Sequence, residues 1–228
     1  MKIGLKRTLL PFLGLSLLLL SFSNFVVAEE PIVLRYAHMN PPTSVAGQQA
    51  TMLAKLVEEK TKGRVKIQVY PSSQLGGLQE QAEMVSVGTV AIHHNTMAGI
   101  GSLYGDFAAL DTPYLYKDVA HLMRVTNPWT SPLMKTLNQK LIQTRNVRVF
   151  YTFFFGTRQL TCDRPIYSPN DLKGVKIRAI PFPIYTATVQ AMGAVAVPLD
   201  FAEVPTALAT GAINGQEHPP DTILTAKL

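Results

Sequence analysis

Between Ile32 and Val69 the chain changes its hydrophobic period twice, and that limits the folds open to it more than any other stretch. Ile32, Leu34 and Tyr36 share one face of a short strand running from Ile32 to His38. Asn40-Pro41-Pro42-Thr43 turns the chain, Ser44 is placed to cap a helix, and Ala46, Ala50, Leu53, Leu56 and Val57 recur at helical spacing. Lys60, Lys62 and Gly63 supply positive charge and a left-handed stop at the helix end. Val65, Ile67 and Val69 then alternate as a second strand, ended by Pro71. Strand, helix and strand joined by short links predict a parallel sheet wrapped by helices, an α/β fold.

The next stretch repeats the pattern. Leu78 to Val87 is amphipathic and stops at Gly88, and Val90 to His94 reads as a third strand. His93 and His94 are adjacent, so on a strand they point to opposite faces and cannot chelate one metal together. Asn95 and Thr96 follow at the strand's C-terminal end, where open α/β sheets place their ligands. They are candidates for hydrogen bonding to a substrate hydroxyl or carbonyl; ordinary turn residues are the other reading. Gly99, Gly101 and Gly105 look superficially like a dinucleotide loop, but the last glycine comes one position late and no suitable strand precedes it, so a phosphate role is rejected.

Asp111 to Tyr114 reads as a turn. Lys117 to Thr144 predicts two helices parted by Asn127-Pro128 and Pro132, with Trp129 in the break, packed in the core or stacked on a ligand. Val147 to Phe155 (VRVFYTFFF) is the most strand-like segment of the chain. Beyond it, Ser168 to Asp171 starts a short helical turn and Phe182 to Met192 a helix. Ala196 to Pro198 is a brief strand, and Val204 to Thr210 a helix stopped by Gly211.

Two arginines stand out between Gly156 and Pro219. Arg178 ends the alternating run Val175-Lys176-Ile177-Arg178-Ala179, which suits a strand with one buried face, and Arg158 follows the VRVFYTFFF run. An arginine where a strand spills into a loop is costly to bury unless something negative meets it, and its planar fork matches a carboxylate with two parallel hydrogen bonds. Surface or lobe-stabilising ion pairs are the plainer reading of both residues.

The order and spacing of GTRQLT, RPIYSPNDLKGVKIRA, AMGAVAVPLDFAEV and ALATGAINGQEHP, with LRYAH, KTKGRVKIQVYPSSQLGG and DTPYLYKD upstream, resemble the substrate-binding protein of a TRAP transporter (tripartite ATP-independent periplasmic, the dicarboxylate-binding DctP type, solute-binding family 7). The resemblance covers essentially everything after residue 30. It implies a two-lobed periplasmic binding protein fold with a hinge and an inter-lobe cleft, residues 29–155 forming the first α/β lobe and 156–228 the second, with the hinge near Phe155–Gly156. It implies that Arg178 is the principal ligand of a substrate carboxylate, that Arg158 is a second contact or supports the site, and that Phe201 is an apolar wall. The family segment usually reads DGQENP where this chain has Asn214 and His218, and a tyrosine is common where Pro205 stands. At the asparagine's position His218 is a hydrogen-bond donor whose proton uptake would make binding pH-dependent. Family members are longer, and Asp221 to Leu228 has no terminating signal, so the resemblance implies a second lobe incomplete at the C-terminus.

The resemblance further implies capture of an organic acid and its delivery to small and large membrane permease subunits driven by an ion gradient, with no catalysis, cofactor or metal. Exported location is expected independently. Lys2, Lys6 and Arg7, the apolar run Leu9–Leu20 and Val26-Val27-Ala28 have the form of a signal peptide over residues 1–28, cleaved near Ala28, which points to the periplasm. The formal charge of +6 falls to +3 without residues 1–28, and no basic run interleaved with aromatics suggests nucleic acid. The single Cys162 cannot close an internal disulfide and reads as a small buried hydrophobe. The rivals are a binding protein serving an ATP-driven importer or sensor, and a secreted hydrolase, for which neither a G-x-S-x-G elbow nor an H-E-x-x-H pair is present.

Overall fold

The computed structural model describes residues 30–228, and residues 31–228 form one compact unit. The signal-peptide reading of residues 1–28 lies outside the described residues. Strand β1 (Ile32–Ala37) leads through helix α1 (Val45–Lys60) to β2 (Val65–Tyr70), and through α2 (Leu78–Ser86) to β3 (Ile92–His93). These strands make a three-stranded parallel sheet in the order β2-β1-β3. The local signals act as the sequence predicts: the Ser44 hydroxyl accepts from the Gly47 amide at 3.1 Å to open α1, and Lys62 and Gly63 turn the chain at positive φ after it. The third strand is shorter than the expected Val90–His94, because only Ile92 and His93 reach the edge of β1.

Helices α3 (Met97–Gly101), α4 (Val119–Val125) and α5 (Pro132–Arg145) follow, with a 3-10 turn at Gly105–Asp111. The break between α4 and α5 falls at Asn127–Ser131, where Pro132 takes the first turn of α5. Phe107, Met134 and Leu141 are fully buried at the centre of the core that joins α3, the 3-10 turn and α5 to α2.

Two expectations fail here. Val147–Phe155 forms no strand, since no neighbouring strand pairs with it among the described residues. Its backbone is met by side chains instead: Asn138 brackets Val149, donating to its carbonyl at 2.9 Å and accepting from its amide at 2.8 Å, and the Trp129 indole donates to Phe150 O at 2.9 Å. Trp129 is therefore not a core residue; it is 59% exposed, with the Arg148 guanidinium 5.8 Å from its ring centroid.

The second sheet has the order β4-β7-β5-β6, from β4 (Gln159–Cys162), β5 (Lys176–Ala179), β6 (Val195–Pro198) and β7 (Gly215–His218). Only β4 is antiparallel to its neighbour β7. Helix α6 (Pro183–Ala191) links β5 to β6, α7 (Val204–Ala209) links β6 to β7, and α8 (Pro220–Ala226) follows β7. Because β5 is interior to this sheet, Ile177, Arg178 and Ala179 are all buried, so the strand has two covered faces rather than the one its alternation predicts. Ile177 and Ala179 join Leu172, Val175 and Val189 in one apolar cluster, against which Cys162 packs half-buried rather than buried. A different cluster ties the two sheets together: Met39, Leu78 and Ala98 from the first part of the chain meet Ile180, Phe182 and Phe201 from the second. The C-terminal ends of β1 and β5 thus abut one apolar layer.

Candidate ligand-binding site

Arg178 is the largest fully buried side chain among the described residues. It stands on β5 one residue before the strand ends, and its position there follows from the KIRA register against β6. Its Nε donates to Leu199 O at 2.9 Å and its Nη1 faces His218 Nε2 at 3.3 Å. Nη2 is buried and has no partner, and no carboxylate among the described residues forms an ion pair with this guanidinium. Burial, and then the charge of Arg158, lower its pKa to about 10, against the opposing pull of Glu217 and Asp200. A buried cation in this condition is expensive to keep unless an anion meets it.

Arg158 is in the opposite condition. Its Nε and Nη2 grip the two carboxylate oxygens of Glu217, with Nη2–Oε1 at 2.9 Å, and Nη2 also donates to the Glu217 carbonyl at 2.8 Å. The antiparallel β4–β7 register, which sets Leu160 opposite Glu217, brings this pair together across 59 residues of sequence. The guanidinium lies 5.5 Å from the Tyr185 ring centroid, and the Tyr185 hydroxyl donates to Asp111 Oδ2 at 3.1 Å. The Ala98 amide donates to the same oxygen at 2.7 Å. Asp111, which the sequence shows only as a turn residue, therefore connects α3 of the first part to α6 of the second. Burial pushes its carboxyl above the usual range, more than these hydrogen bonds and Arg158 pull it down.

His218 is fully buried, its ring 5.2 Å from Phe201 at 75°. Because Nε2 faces a guanidinium N–H, it accepts, which assigns the proton to Nδ1; that nitrogen is buried without a partner. Burial, then Arg158 and Arg178, hold its pKa well below the ordinary imidazole value, so the proton uptake expected from the sequence is opposed by two nearby cations. His218 is a neutral donor here. Phe201 is buried in the layer between the sheets, beside His218.

Asn95 and Thr96 are engaged locally. Asn95 Nδ2 donates to Leu78 O at 3.2 Å, and Thr96 Oγ1 accepts from the Gly99 amide at 2.9 Å to cap α3. The Asn95 amide stands where a side chain at Gly99 would have to go, so this glycine permits the close approach. Other residues at strand ends escaped the sequence reading. His38 and Asn40, just beyond β1, are fully buried with both ring nitrogens and both amide atoms unpartnered, and Gln216 Oε1 on β7 is likewise unpartnered. His38 and Asn40 follow the C-terminal end of β1, where open α/β sheets place their ligands, as Asn95 follows β3. Burial lowers the pKa of His38, and of His93 to about 4, so both imidazoles are neutral near pH 7. Among the described residues no group of three or more His, Cys, Asp or Glu side chains is arranged to hold a metal ion.

Residues 36–228 match the family described as bacterial extracellular solute-binding protein, family 7 (DctP). The chain belongs to this family. It is 32% identical over 224 residues to the C4-dicarboxylate-binding periplasmic protein DctP of Rhodobacter capsulatus, covering 98% of this chain and 66% of that one. It is 34% identical over 184 residues to the sialic acid-binding periplasmic protein SiaP of Vibrio cholerae, covering 81% and 56%. Among solved structures, it superposes on a TRAP periplasmic solute-binding protein of Roseobacter denitrificans with bound L-galactonate with a TM-score of 0.79 at 30% identity, over 86% of this chain and 64% of that one. A TRAP periplasmic solute-binding protein of Desulfovibrio salexigens with bound orotic acid gives 0.77 at 31%, over 86% and 62%. The two α/β sheets thus have the fold of TRAP periplasmic solute-binding proteins, and the chain spans somewhat less than two thirds of the length of these relatives.

Proposed function

We propose that this protein is the solute-binding component of a TRAP transporter, exported to the periplasm, which captures an organic acid and presents it to a membrane permease driven by an ion gradient. The observation that carries the reading is the Arg178 guanidinium, fully buried at a strand end with Nη2 unpartnered and no protein carboxylate paired to it. The ligand carboxylate is its counter-ion, and charge-assisted hydrogen bonds of this kind contribute about 1.5–3 kcal/mol each. His218 Nδ1 offers a further donor, Phe201 the apolar wall, and Arg158, committed to Glu217, positions β7 rather than touching ligand. Asn95 and Thr96 are committed to local hydrogen bonds ahead of α3.

Residues 29–155 and 156–228 act as two lobes, with Phe155–Gly156 as the hinge. Gly156 has φ +121°, a value that favours glycine, and an added Cβ there would lie 2.9 Å from Pro219 Cβ. Closing the lobes excludes water from the ion pair and so strengthens it. Delivery requires no chemistry; the Cys162 sulfur lies 3.6 Å from the Asp163 carboxylate.

Calorimetric titration with an organic acid and with its uncharged carboxamide tests the reading. The acid binds and the amide does not; equal binding of the two removes Arg178 as a carboxylate anchor.

A further inference from the structure

Asp111 is a half-buried carboxylate to which the binding reading assigns no task. We infer that it is a positioning residue for ligand capture. Through Tyr185 it latches the first half of the chain to the Arg158–Glu217 pair of the second, so that closing the halves and assembling the Arg178 site become one event. The inference rests on the binding reading above and adds to it a residue that acts through another.

Asp111 closes the 3-10 turn Gly105–Asp111, whose Phe107 and Leu110 are buried in the core, so the carboxylate is carried on a fixed element. Its Oδ2 accepts from the Ala98 amide at 2.7 Å in its own half and from the Tyr185 hydroxyl at 3.1 Å in the other. Tyr185 stands on α6, 74 residues along the chain, and packs against the apolar layer between the sheets. Its ring has the Arg158 guanidinium 5.5 Å from the centroid. Arg158 grips the Glu217 carboxylate and carbonyl, and the next residue of β7, His218, faces Arg178 Nη1 at 3.3 Å. Burial, and then the Asp111 charge, push the Tyr185 hydroxyl above its ordinary value, which keeps it a donor.

Among the described residues, two hydrogen bonds join residues 30–155 to residues 156–228. The other runs from the Val45 amide to Asp221 Oδ2 at 3.2 Å; it is exposed and involves none of the side chains around the arginines. Only the Asp111 contact combines partial burial with a path to Arg178, by way of Tyr185, Arg158, Glu217 and His218. Apparent affinity falls with the fraction of molecules in the binding-competent arrangement. A contact made only when the halves are together therefore tightens binding without meeting the ligand.

The test compares the full chain with Asp111→Ala, Tyr185→Phe and Asp221→Ala. In ligand-free X-ray scattering, the first two variants should show a larger radius of gyration than the unaltered chain, and the third should not. With galactonate or succinate, whichever binds the unaltered chain, dissociation should be about fivefold faster or more in Asp111→Ala and about threefold faster in Tyr185→Phe. Association should stay within about twofold, because the latch acts after encounter. The double variant should match Asp111→Ala within about twofold, since both changes break one contact. A residue that only stabilised the fold would lower the urea midpoint and leave the dissociation rate of the folded protein alone. That result, or unchanged radii, overturns the inference. Asp221→Ala speeding dissociation as much as Asp111→Ala overturns it too, since any contact between the halves would then serve. Failure of both acids to bind the unaltered chain overturns the binding reading instead, and the scattering comparison still decides the latch. Tyr185→Phe, which keeps the ring beside Arg158, decides it where Asp111→Ala does not fold.

Discussion

The two sheets reach the same apolar layer with different chemistry at their strand ends. The three-stranded sheet offers neutral groups there: His38 and Asn40 after β1, and His93 on β3, held neutral by burial. The four-stranded sheet offers full charges, in two contrasting states. Arg158 is closed by Glu217 in a forked pair, while Arg178 is open at Nη2. Charge alone does not mark a ligand anchor, since both arginines are cations of this part of the fold, Arg158 just before β4 and Arg178 on β5. What separates them is whether the protein has already supplied the counter-ion. On the proposed reading, the second sheet recognises the acid's charge through Arg178.

That contrast can be broken most directly at Arg178. Arg178→Lys keeps the charge and loses the fork, and should weaken carboxylate binding by about 2–5 kcal/mol, read by calorimetry with galactonate. Unchanged affinity would place the anchor elsewhere.

The neutral side of the comparison can be broken with pH. Burial, together with neighbouring histidines, depresses the pKa of His93 to about 4 and of His94 to about 3, from an ordinary 6.5. The folded-state values lie below the unfolded one, so in that interval the unfolded chain binds more protons. The stability these groups contribute is complete above about pH 6.5 and is lost as pH falls toward 4, at about 2–3 kcal/mol for the pair over the first full unit. Thermal melts at pH 7.5 and 5.5 should show the lower midpoint at pH 5.5; coincident midpoints would mean that these imidazoles are not buried as described.

Glu217→Gln sharpens the difference between the arginines. The Arg158–Glu217 pair is partly covered, with side-chain exposures of 28% and 15%, so its loss should cost about 2 kcal/mol in urea unfolding, between the values for exposed and buried pairs. No change in unfolding would show that Arg158 is not structurally committed. The smallest effect is expected from Tyr185→Phe, which removes the hydroxyl that reaches Asp111 at 3.1 Å and should cost about 1 kcal/mol in the same experiment.

The sequence carried the alternation of strands and helices, because each signal is local. Ser44 caps the helix it precedes, Gly63 turns the chain that follows it, and Pro132 opens α5 wherever the rest of the molecule lies. The motifs around Arg158 and Arg178 were legible for the same reason and led to the family. Tertiary structure alone decided which of those groups remain open. VRVFYTFFF has the composition of a strand, but a strand needs a neighbour for its backbone, and Asn138 and Trp129 take that place. Nothing near Arg158 in sequence announces Glu217, and nothing near His38 or Asn40 shows that their polar atoms end buried and unpaired. Propensity is a property of neighbours along the chain, whereas pairing and desolvation depend on which distant residues the packed fold brings within 3 to 4 Å of one another.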